Sequence, residues 1–580
     1  MTSPLIRIIS FIKPYQKIAY ASIGMLTLSV LAELVVPTLI QRIIDQGITQ
    51  RDLYVIGSTA VLMIVLAAFE AAMTIGNTFL SVRVAQNFAA DVRSSIFRRI
   101  QSFSFSNLDK FQTGQLIIRL TSDVNITQMM VLMGLRMFIR APFMIIGSII
   151  LMYRINASLA NIMILLMPLT LVFTGIFVWK AQPMFMQVQG KLDKLNSVLQ
   201  ENLAGVRVVK AFVRQDYEAK RFDDANNNLM NKAIKVNQLM QFLMPTMFVV
   251  INFSVIGVLY FGGLQAIQGT FTIGEILAFT NYSLQSMFPL IFLGMMASQL
   301  SMAEASVLRI YEVLDSLPQV QNKPEAKPTG DITGRVTFEN VSFSYGTAAS
   351  EAVLKNINFT AEPGQIVALL GATGSGKSTL INLIPRFYDV TDGRIIIDSK
   401  DIRDVTIESL RLHIGISLQE PVLFSGSIRD NIRYGKPEAT EEEVIEAAKV
   451  SQAHEFIMSF PKGYDTEVGQ RGVGLSGGQK QRISIARAIL VKPQILILDD
   501  STSSVDVETE ALIQEALEKV MEGRTSFIIA QRISSVLKAD KILVLDRGQI
   551  VAEGQHKELM ETSPIYREIY DSQLGGGIRL

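Results

Sequence analysis

The sequence predicts two unlike folds in one chain: an all-α polytopic membrane domain of six long transmembrane helices, then an α/β domain built around a phosphate-binding glycine loop. Three observations predict this. Long apolar runs are confined to residues 1–325. From about residue 330 onward, short apolar strands alternate with helical stretches of ordinary polarity. Within that second half a strand, a glycine-rich loop and an apolar helix follow one another over Gln365–Ile384.

Composition narrows the function classes. Of 580 residues, 49% are apolar and 18% charged, against the ~25% charged that is usual in soluble domains. Disorder and an all-soluble chain of ordinary composition are both excluded. Lys+Arg 54 against Asp+Glu 53 leaves a net charge of +1, so no global field suits nucleic acid. Cysteine is absent, which removes disulfides, thiol catalysis and cysteine-ligated metal sites. The three histidines, His413, His454 and His556, are too few for a histidine-rich metal site.

At the N-terminus, Leu5, Ile8, Ile9 and Ile12 fall at helical spacing beside Arg7 and Lys13. This predicts an amphipathic helix on the inner membrane surface, stopped by Pro14. A signal peptide fits poorly, because no small-residue cleavage pattern is present and a full-length span follows.

A helix needs ~20 mostly apolar residues to cross a bilayer core. The runs Ile18–Ile40, Tyr54–Leu80, Phe138–Tyr153, Ala157–Trp179, Phe242–Ile267 and Ile273–Gln299 meet that need. The third is short and is expected to begin before Phe138. Short loops join the spans in pairs, while segments of about sixty residues separate the pairs. Arg83–Arg140 holds eight Lys/Arg against three Asp, and Lys180–Gln241 holds ten Lys/Arg against six Asp/Glu, whereas Phe261–Gly274 carries no charge. The positive-inside rule then places the long segments, both termini and the second half in the cytoplasm. Leu192, Leu195, Leu199 and Leu203 share one helical face, so the long segments read as spans continuing beyond the lipid. Few ionisable groups lie in the spans: Glu33, Glu70, Arg140 near an end, and Glu275. Such groups are costly and are functional candidates. Glu33 and Glu70 either contact a cationic substrate or face a watery cavity or a partner helix. Asp315–Asp331, with three prolines and a glycine, reads as a linker between a membrane domain at 1–314 and a nucleotide-binding domain at 332–580.

In the second half, the strand Gln365–Leu370 leads into Gly371-Ala-Thr373-Gly374-Ser375-Gly376-Lys377-Ser378-Thr379. This is G-x-x-x-x-G-K-[ST] in its strand–loop–helix setting. Its backbone N–H groups can turn inward around phosphate oxygens, Lys377 can reach the β/γ-phosphates, and Ser378 can face Mg²⁺. The apolar strand Gln494–Leu498 ends in Asp499 and Asp500, carboxylates placed to hold Mg²⁺ and position water.

Twenty residues before Asp499 ends Leu475-Ser476-Gly477-Gly478-Gln479. This resembles the signature of ATP-binding cassette (ABC) proteins, whose Ser-Gly-Gly turn opens a helix and offers a hydroxyl, N–H groups and a positive dipole end to an anion. The resemblance extends further. Tyr345 resembles the aromatic that stacks on adenine, and Gln419 the loop glutamine that bridges Mg²⁺ and the membrane half. Thr466-Glu-Val-Gly469 and Ser504-Val-Asp506 resemble two further loops of the exporter cassette. Thr113–Asp123 and Glu201–Phe212 resemble the cytoplasmic loops of the six-span exporter domain. The resemblance implies a half-transporter: two chains sandwich two ATP molecules, each between one chain's phosphate loop and the other chain's signature.

Two positions depart from the family pattern. Asp500 stands where active cassettes carry Glu, and Gln531 stands where they carry a histidine facing the γ-phosphate. The Asp carboxylate is ~1.5 Å shorter in reach, and ~1 Å of misplacement can cost ~10²-fold. Gln531 can hydrogen-bond but cannot become a cation. Beside an intact signature, the pair resembles the degenerate subunit of heterodimeric ABC exporters.

The expected protein is therefore an integral membrane exporter, in a prokaryotic inner membrane, that uses ATP and Mg²⁺. Its expected partners are the lipid bilayer, a small amphiphilic or multidrug-like substrate, and a second half-transporter with an intact hydrolytic site. A homodimeric exporter or lipid flippase stays open, as does an ATP-switched membrane sensor. A protease-fused peptide exporter is not expected, since neither a preceding domain nor a cysteine is present.

Overall fold

The computed structural model of the protein describes residues 4–346, 351–499, 515, 518–529 and 536–574. Two compact units form: 1–101 with 113–316, and 102–112 with 317–580.

The first unit is helical throughout. Its elements are α1 (Pro4–Ile9), α2 (Gln16–Arg42) and α3 (Leu53–Gln101). α4 (Phe105–Lys110) belongs to the second unit. Then follow α5 (Thr113–Ile118), α6 (Val124–Met133), α7 (Ile139–Ile155), α8 (Ala157–Ala204), α9 (Val206–Ala211), α10 (Gln215–Gln241), α11 (Leu243–Ile267) and α12 (Ile273–Leu314). Among the described residues, five continuous helical stretches are long and apolar enough to cross a membrane. α12 contains the sixth predicted span. Thr113–Ile155 is one continuous helical stretch, so the third span does begin before Phe138. At ~1.5 Å per residue, the 49 residues of α3 extend ~74 Å, more than twice the ~30 Å bilayer core. α3 is therefore far longer than a bilayer core is thick.

Some polar groups inside the bundle are satisfied by neighbouring helices and others by carbonyls of their own helix. Asn77 Nδ2 donates to Ser22 O and Ser22 Oγ, each at 2.9 Å, tying α3 to α2. Buried Tyr282 donates to Leu34 O at 2.7 Å, tying α12 to α2. An interhelical bond of this kind contributes ~0.6 kcal/mol in a membrane. Asn252 and Asn281 turn back onto carbonyls of their own helices. Glu275 sits in a capping box with Thr272 at the start of α12, where Asp45 also accepts from Gly274 N at 2.9 Å. Glu33 accepts from Arg140 at 2.6 Å, so its partner is a neighbouring helix. Around these bonds packs an apolar core that includes Met144, Met163, Met247, Ile251 and Phe279.

Two sequence expectations change. Pro14 does not stop the chain: it lies within a 3₁₀ turn, Ser10–Tyr15, that carries α1 on into α2. Proline is tolerated there because its ring needs only φ near −65° and it lies two residues before α2 begins, outside that helix's i→i−4 ladder. α1 also buries Ile8 completely within the unit, while Arg7 pairs with Asp315 at 2.8 Å and stacks on Tyr311. Ile6 and Ile9 stay exposed, so only part of its apolar face remains for a membrane surface. On α8, Leu195 is buried but Leu203 is 69% exposed, so the leucine stripe is only partly a packing seam.

The second unit has a six-stranded sheet in the order β12-β11-β3-β10-β9-β6, and a four-stranded antiparallel sheet, β2-β1-β4-β5. The strands are β1 (Val336–Phe343), β2 (Leu354–Ala361), β3 (Ile366–Leu370), β4 (Asp392–Ile397), β5 (Lys400–Asp401), β6 (Ile414–Ser417), β7 (Gly426–Ser427), β8 (Glu467–Val468), β9 (Ile495–Asp499), β10 (Thr525–Ile529), β11 (Lys541–Asp546) and β12 (Gln549–Gly554). Its helices include α13 (Lys377–Leu383), α14 (Ile407–Leu412), α15 (Ile428–Arg433), α16 (Glu441–Val450), α17 (His454–Met458) and α18 (Gly477–Leu490). β3, β6, β9, β10 and β11 run parallel. β9 and β10 are buried along their whole length, as strands covered on both faces must be, and this explains their unbroken apolar runs.

Candidate functional site

The parallel register brings the predicted groups to one edge of the sheet. Leu369 lies opposite Ile529, Ile529 opposite Asp499, and Leu498 opposite Ser417. The glycine loop after β3, Asp499 at the end of β9, and Gln419 two residues past β6 therefore all leave the carboxyl ends of neighbouring strands. Ligands of open α/β sheets bind along that edge.

The loop conformation requires its glycines. Gly371 has φ +152°, and a Cβ there would run into the Leu545 carbonyl and meet Ser375 Oγ at 2.8 Å. Gly376 has φ +104°, and its Cβ would meet Leu354 Cδ2 at 2.7 Å. Thr373 and Gly374 are exposed at the loop tip, while Ser375 is buried and its Oγ has no hydrogen-bond partner among the described residues. Lys377 opens α13 and donates from Nζ to the Gly371 and Ala372 carbonyls, both at 2.9 Å, folding across the loop. Next to it, Ser378 is exposed and Thr379 is buried. A tight, cationic cradle with an orphan hydroxyl suits phosphate oxygens. Ser378, Gln419 and Asp499 offer oxygen donors only, the chemistry Mg²⁺ prefers.

Tyr345 follows β1. Its hydroxyl is 3.0 Å from Thr379 Oγ1, which ties this aromatic to the loop helix. Its ring meets Phe343 and Tyr388 edge-on, with centroids 4.9 and 5.2 Å apart. The residue remains 40% exposed, leaving ring surface for a planar partner. Burial raises the Tyr345 hydroxyl, against the opposing effect of its Thr379 bond.

Ser476 caps α18. Its Oγ accepts from Gln479 N at 3.3 Å, while Gln479 Oε1 accepts from Ser476 N at 2.9 Å. This reciprocal capping box fixes Gly477 and Gly478 as the first helical turn. Replacing such a cap costs ~1 kcal/mol. Thr466–Gly469 contributes β8, which pairs with β7. Asp500, Gln531 and the Ser504–Asp506 loop lie outside the described residues; β9 and β10 end at Asp499 and Ile529 just before the first two. Each histidine is hydrogen-bonded through Nδ1: His413 to Gln494, His454 to Tyr464 and His556 to Tyr566.

Sequence reasoning missed Tyr388. It lies beyond α13 and donates to Asp109 Oδ2, on α4, at 2.8 Å. Phe387 next to it stacks on Phe105 at 4.2 Å between centroids, and the Arg411 guanidinium lies 5.1 Å from the Phe387 ring centroid. Burial first, then the Asp109 bond, pushes the Tyr388 hydroxyl far above the ordinary tyrosine range. The adjacent Phe387-Tyr388 pair just after the loop helix was the available signal. Nothing local to it names Asp109 as the partner.

Family models for the ABC transporter transmembrane region and the ABC transporter match residues 20–290 and 354–503. The chain is 42% identical over 572 residues to YfiB of Bacillus subtilis, an uncharacterized ABC transporter ATP-binding protein, covering 98% of each. It is 38% identical to an ATP-dependent lipid A-core flippase of Syntrophus aciditrophicus, over 84% of this chain and 81% of that one. It is 36% identical to YgaD of Bacillus subtilis, named for multidrug export, over 98% and 99%. The structure of a bacterial Atm1-family ABC exporter with ATP bound superposes with a TM-score of 0.82 at 27% identity, covering 97% of this chain and 99% of that one. The chain belongs to the ABC transporter family, as an exporter half-transporter whose membrane domain and ATP-hydrolysing domain share one polypeptide.

Proposed function

We propose that this chain is one half of a heterodimeric exporter of amphiphilic or hydrophobic substrates, and that its own ATP site binds well and hydrolyses poorly. ABC exporters act as dimers in the bilayer, coupling ATP hydrolysis to transport. The observation that carries the asymmetric reading is a mismatch within one chain. Asp500 and Gln531 replace the groups that act nearest the γ-phosphate, yet the glycine loop is fully built and Ser476 caps its helix. A signature is useful only against a competent phosphate loop, and that loop then belongs to a different chain.

In this reading Tyr345 stacks on the adenine. Gly371, Thr373, Gly374, Ser375, Gly376, Lys377 and Thr379 hold the phosphates, and Ser378, Gln419 and Asp499 hold Mg²⁺. ATP bound here fastens the two cassettes together. Ser476, Gly477, Gly478 and Gln479 complete the partner's site, where most hydrolysis occurs. The exposed apolar group Val208, Phe212, Val213 and Tyr217 around α9 is surface of the kind a second chain covers. The substrate class follows from relatives whose names state multidrug export and lipid A-core flipping. The cytoplasmic placement of both termini follows from the charge asymmetry of the loops.

The test is ATP turnover of the complex at saturating ATP. Ser476→Arg places a bulky charge where the partner's ATP docks and abolishes most turnover, while Asp500→Asn changes it little. Large, equal losses from both, or brisk turnover by this chain alone, would establish the homodimeric exporter instead. That second reading is favoured by the 38% identity to a lipid A-core flippase.

A further inference from the structure

Within the first unit, a cavity of about 290 Å³ opens between α2, α7 and α12. Its walls include Met137, Met144, Leu284, Phe288 and Phe292. One side carries an ion pair, Arg140 Nη2 to Glu33 Oε2 at 2.6 Å, with the Arg and Glu side chains 36% and 24% exposed. The Gln285 amide lines the same cavity, and its Oε1 is buried with no hydrogen-bond partner among the described residues.

We propose that this cavity binds the head group of a zwitterionic amphiphile, one whose cationic and anionic groups lie close together, as in a phosphoethanolamine lipid. The inference rests on the exporter reading and names its substrate class. Each half of the ion pair keeps unused capacity: the guanidinium has five N–H donors and the carboxylate a second oxygen. A head group bearing both charges can engage both residues, and neither is left uncompensated. A simple cation would draw on Glu33 and leave Arg140 short of its counter-charge, and a simple anion would do the reverse. Stranding one partner of a half-buried pair carries part of the cost of an unpaired buried charge. Gln285 supplies the remaining acceptor, for an ammonium N–H or a hydroxyl. The thioether and phenyl walls accept the first chain segments. The volume lies near the lower end of the ~300–1,000 Å³ typical of ligand pockets, which suits a head group with its proximal chain and not a whole two-chain lipid.

The experiment is equilibrium calorimetry on the full-length complex in detergent, without nucleotide. Four probes are compared: a short-chain phosphatidylethanolamine, the chain-matched phosphatidylglycerol, a chain-matched alkyltrimethylammonium, and free phosphoethanolamine. The parent is expected to bind the zwitterionic lipid about tenfold more tightly than either singly charged lipid. Glu33→Gln should weaken the zwitterion about tenfold without weakening phosphatidylglycerol, and Arg140→Gln should weaken it similarly without weakening the cation. The reversed pair, Glu33→Arg with Arg140→Glu, restores the ion pair and should restore the preference; it decides the matter if a single variant does not fold. Equal binding of all three lipids by the parent would overturn the proposal. So would parallel losses for every probe in both single variants, a reversed pair that does not discriminate, or free phosphoethanolamine binding as tightly as the lipid. Failure of vesicle transport with this binding pattern intact would overturn the exporter reading and leave the site standing.

Discussion

Tyr388 and Asp109 are 279 residues apart in the chain and share one hydrogen bond of 2.8 Å. Asp109 lies on α4, a six-residue helix drawn from between two helices of the first unit and packed within the second. From Tyr388 the contacts continue edge-on to the Tyr345 ring, and from the Tyr345 hydroxyl to Thr379 on the glycine-loop helix. One physical chain of contacts thus runs from α4 to the phosphate loop. Coupling of this kind travels through such packed and hydrogen-bonded groups when both ends bias one element.

The first prediction follows from that chain. Tyr388→Phe keeps the ring contacts and removes the bond to Asp109. A net hydrogen bond of ~0.5–1.5 kcal/mol corresponds to roughly a 2–12-fold effect. Transport per ATP hydrolysed should fall within that range, while ATP affinity changes by less than about twofold. Unchanged transport per ATP in reconstituted vesicles would remove Tyr388 from coupling.

The two loop glycines should respond differently to alanine. At Gly371 a Cβ strikes the Leu545 carbonyl, whereas at Gly374 it meets nothing within 4 Å among the described residues, and its φ of +83° is what opposes the change. Gly374→Ala should therefore cost about 1–2 kcal/mol of local strain. Gly371→Ala should cost more and reduce ATP binding at this chain's site at least about tenfold. Photolabelling with an ATP analogue that affected both variants equally would contradict the geometry.

Topology can be read by thiol labelling, because no native cysteine competes. Asn227→Cys on α10 and Gln268→Cys between α11 and α12 are both at exposed positions. A membrane-impermeant reagent added to intact cells should label the Gln268→Cys variant and spare the Asn227→Cys variant. The opposite pattern would invert the orientation.

A pH effect is expected from Asp398. Burial pushes its carboxyl up, but bonds from Thr333, Arg335 and Gly334 outweigh that and hold it below the ordinary aspartate value. Thr333 Oγ1 and Arg335 N donate to it at 2.7 and 2.9 Å. A depressed folded-state value means that its stabilisation is present above the unfolded value of ~3.9 and is lost as pH falls through the folded one. Thermal unfolding of the parent should therefore weaken more steeply below about pH 4 than that of Asp398→Asn. Parallel curves for the two would show that the carboxylate contributes nothing there.

The sequence by itself determined the features whose chemistry is local. A span is a run of apolar residues, and Ile18–Ile40 or Ala157–Trp179 needs no partner to be recognised. The glycine loop is equally local: Gly371, Gly376 and Lys377 stand at the spacing their backbone angles require. Asp499 could be placed because an apolar strand announces its own end. Tertiary structure alone decided the pairings across distance. Nothing near Glu33 names Arg140, 107 residues away, and nothing near Tyr388 names Asp109. Pro14 was misread because a local rule marks it as a stop, whereas Ile8 and Arg7, packed within the unit, hold the chain on course through a 3₁₀ turn. On α8 the leucine stripe is periodic, but which leucines are buried depends on what lies opposite them. Backbone preference and burial patterns act over a few residues and are written in the chain. Ion pairs, ring stacks and cavities need groups that only packing brings within reach.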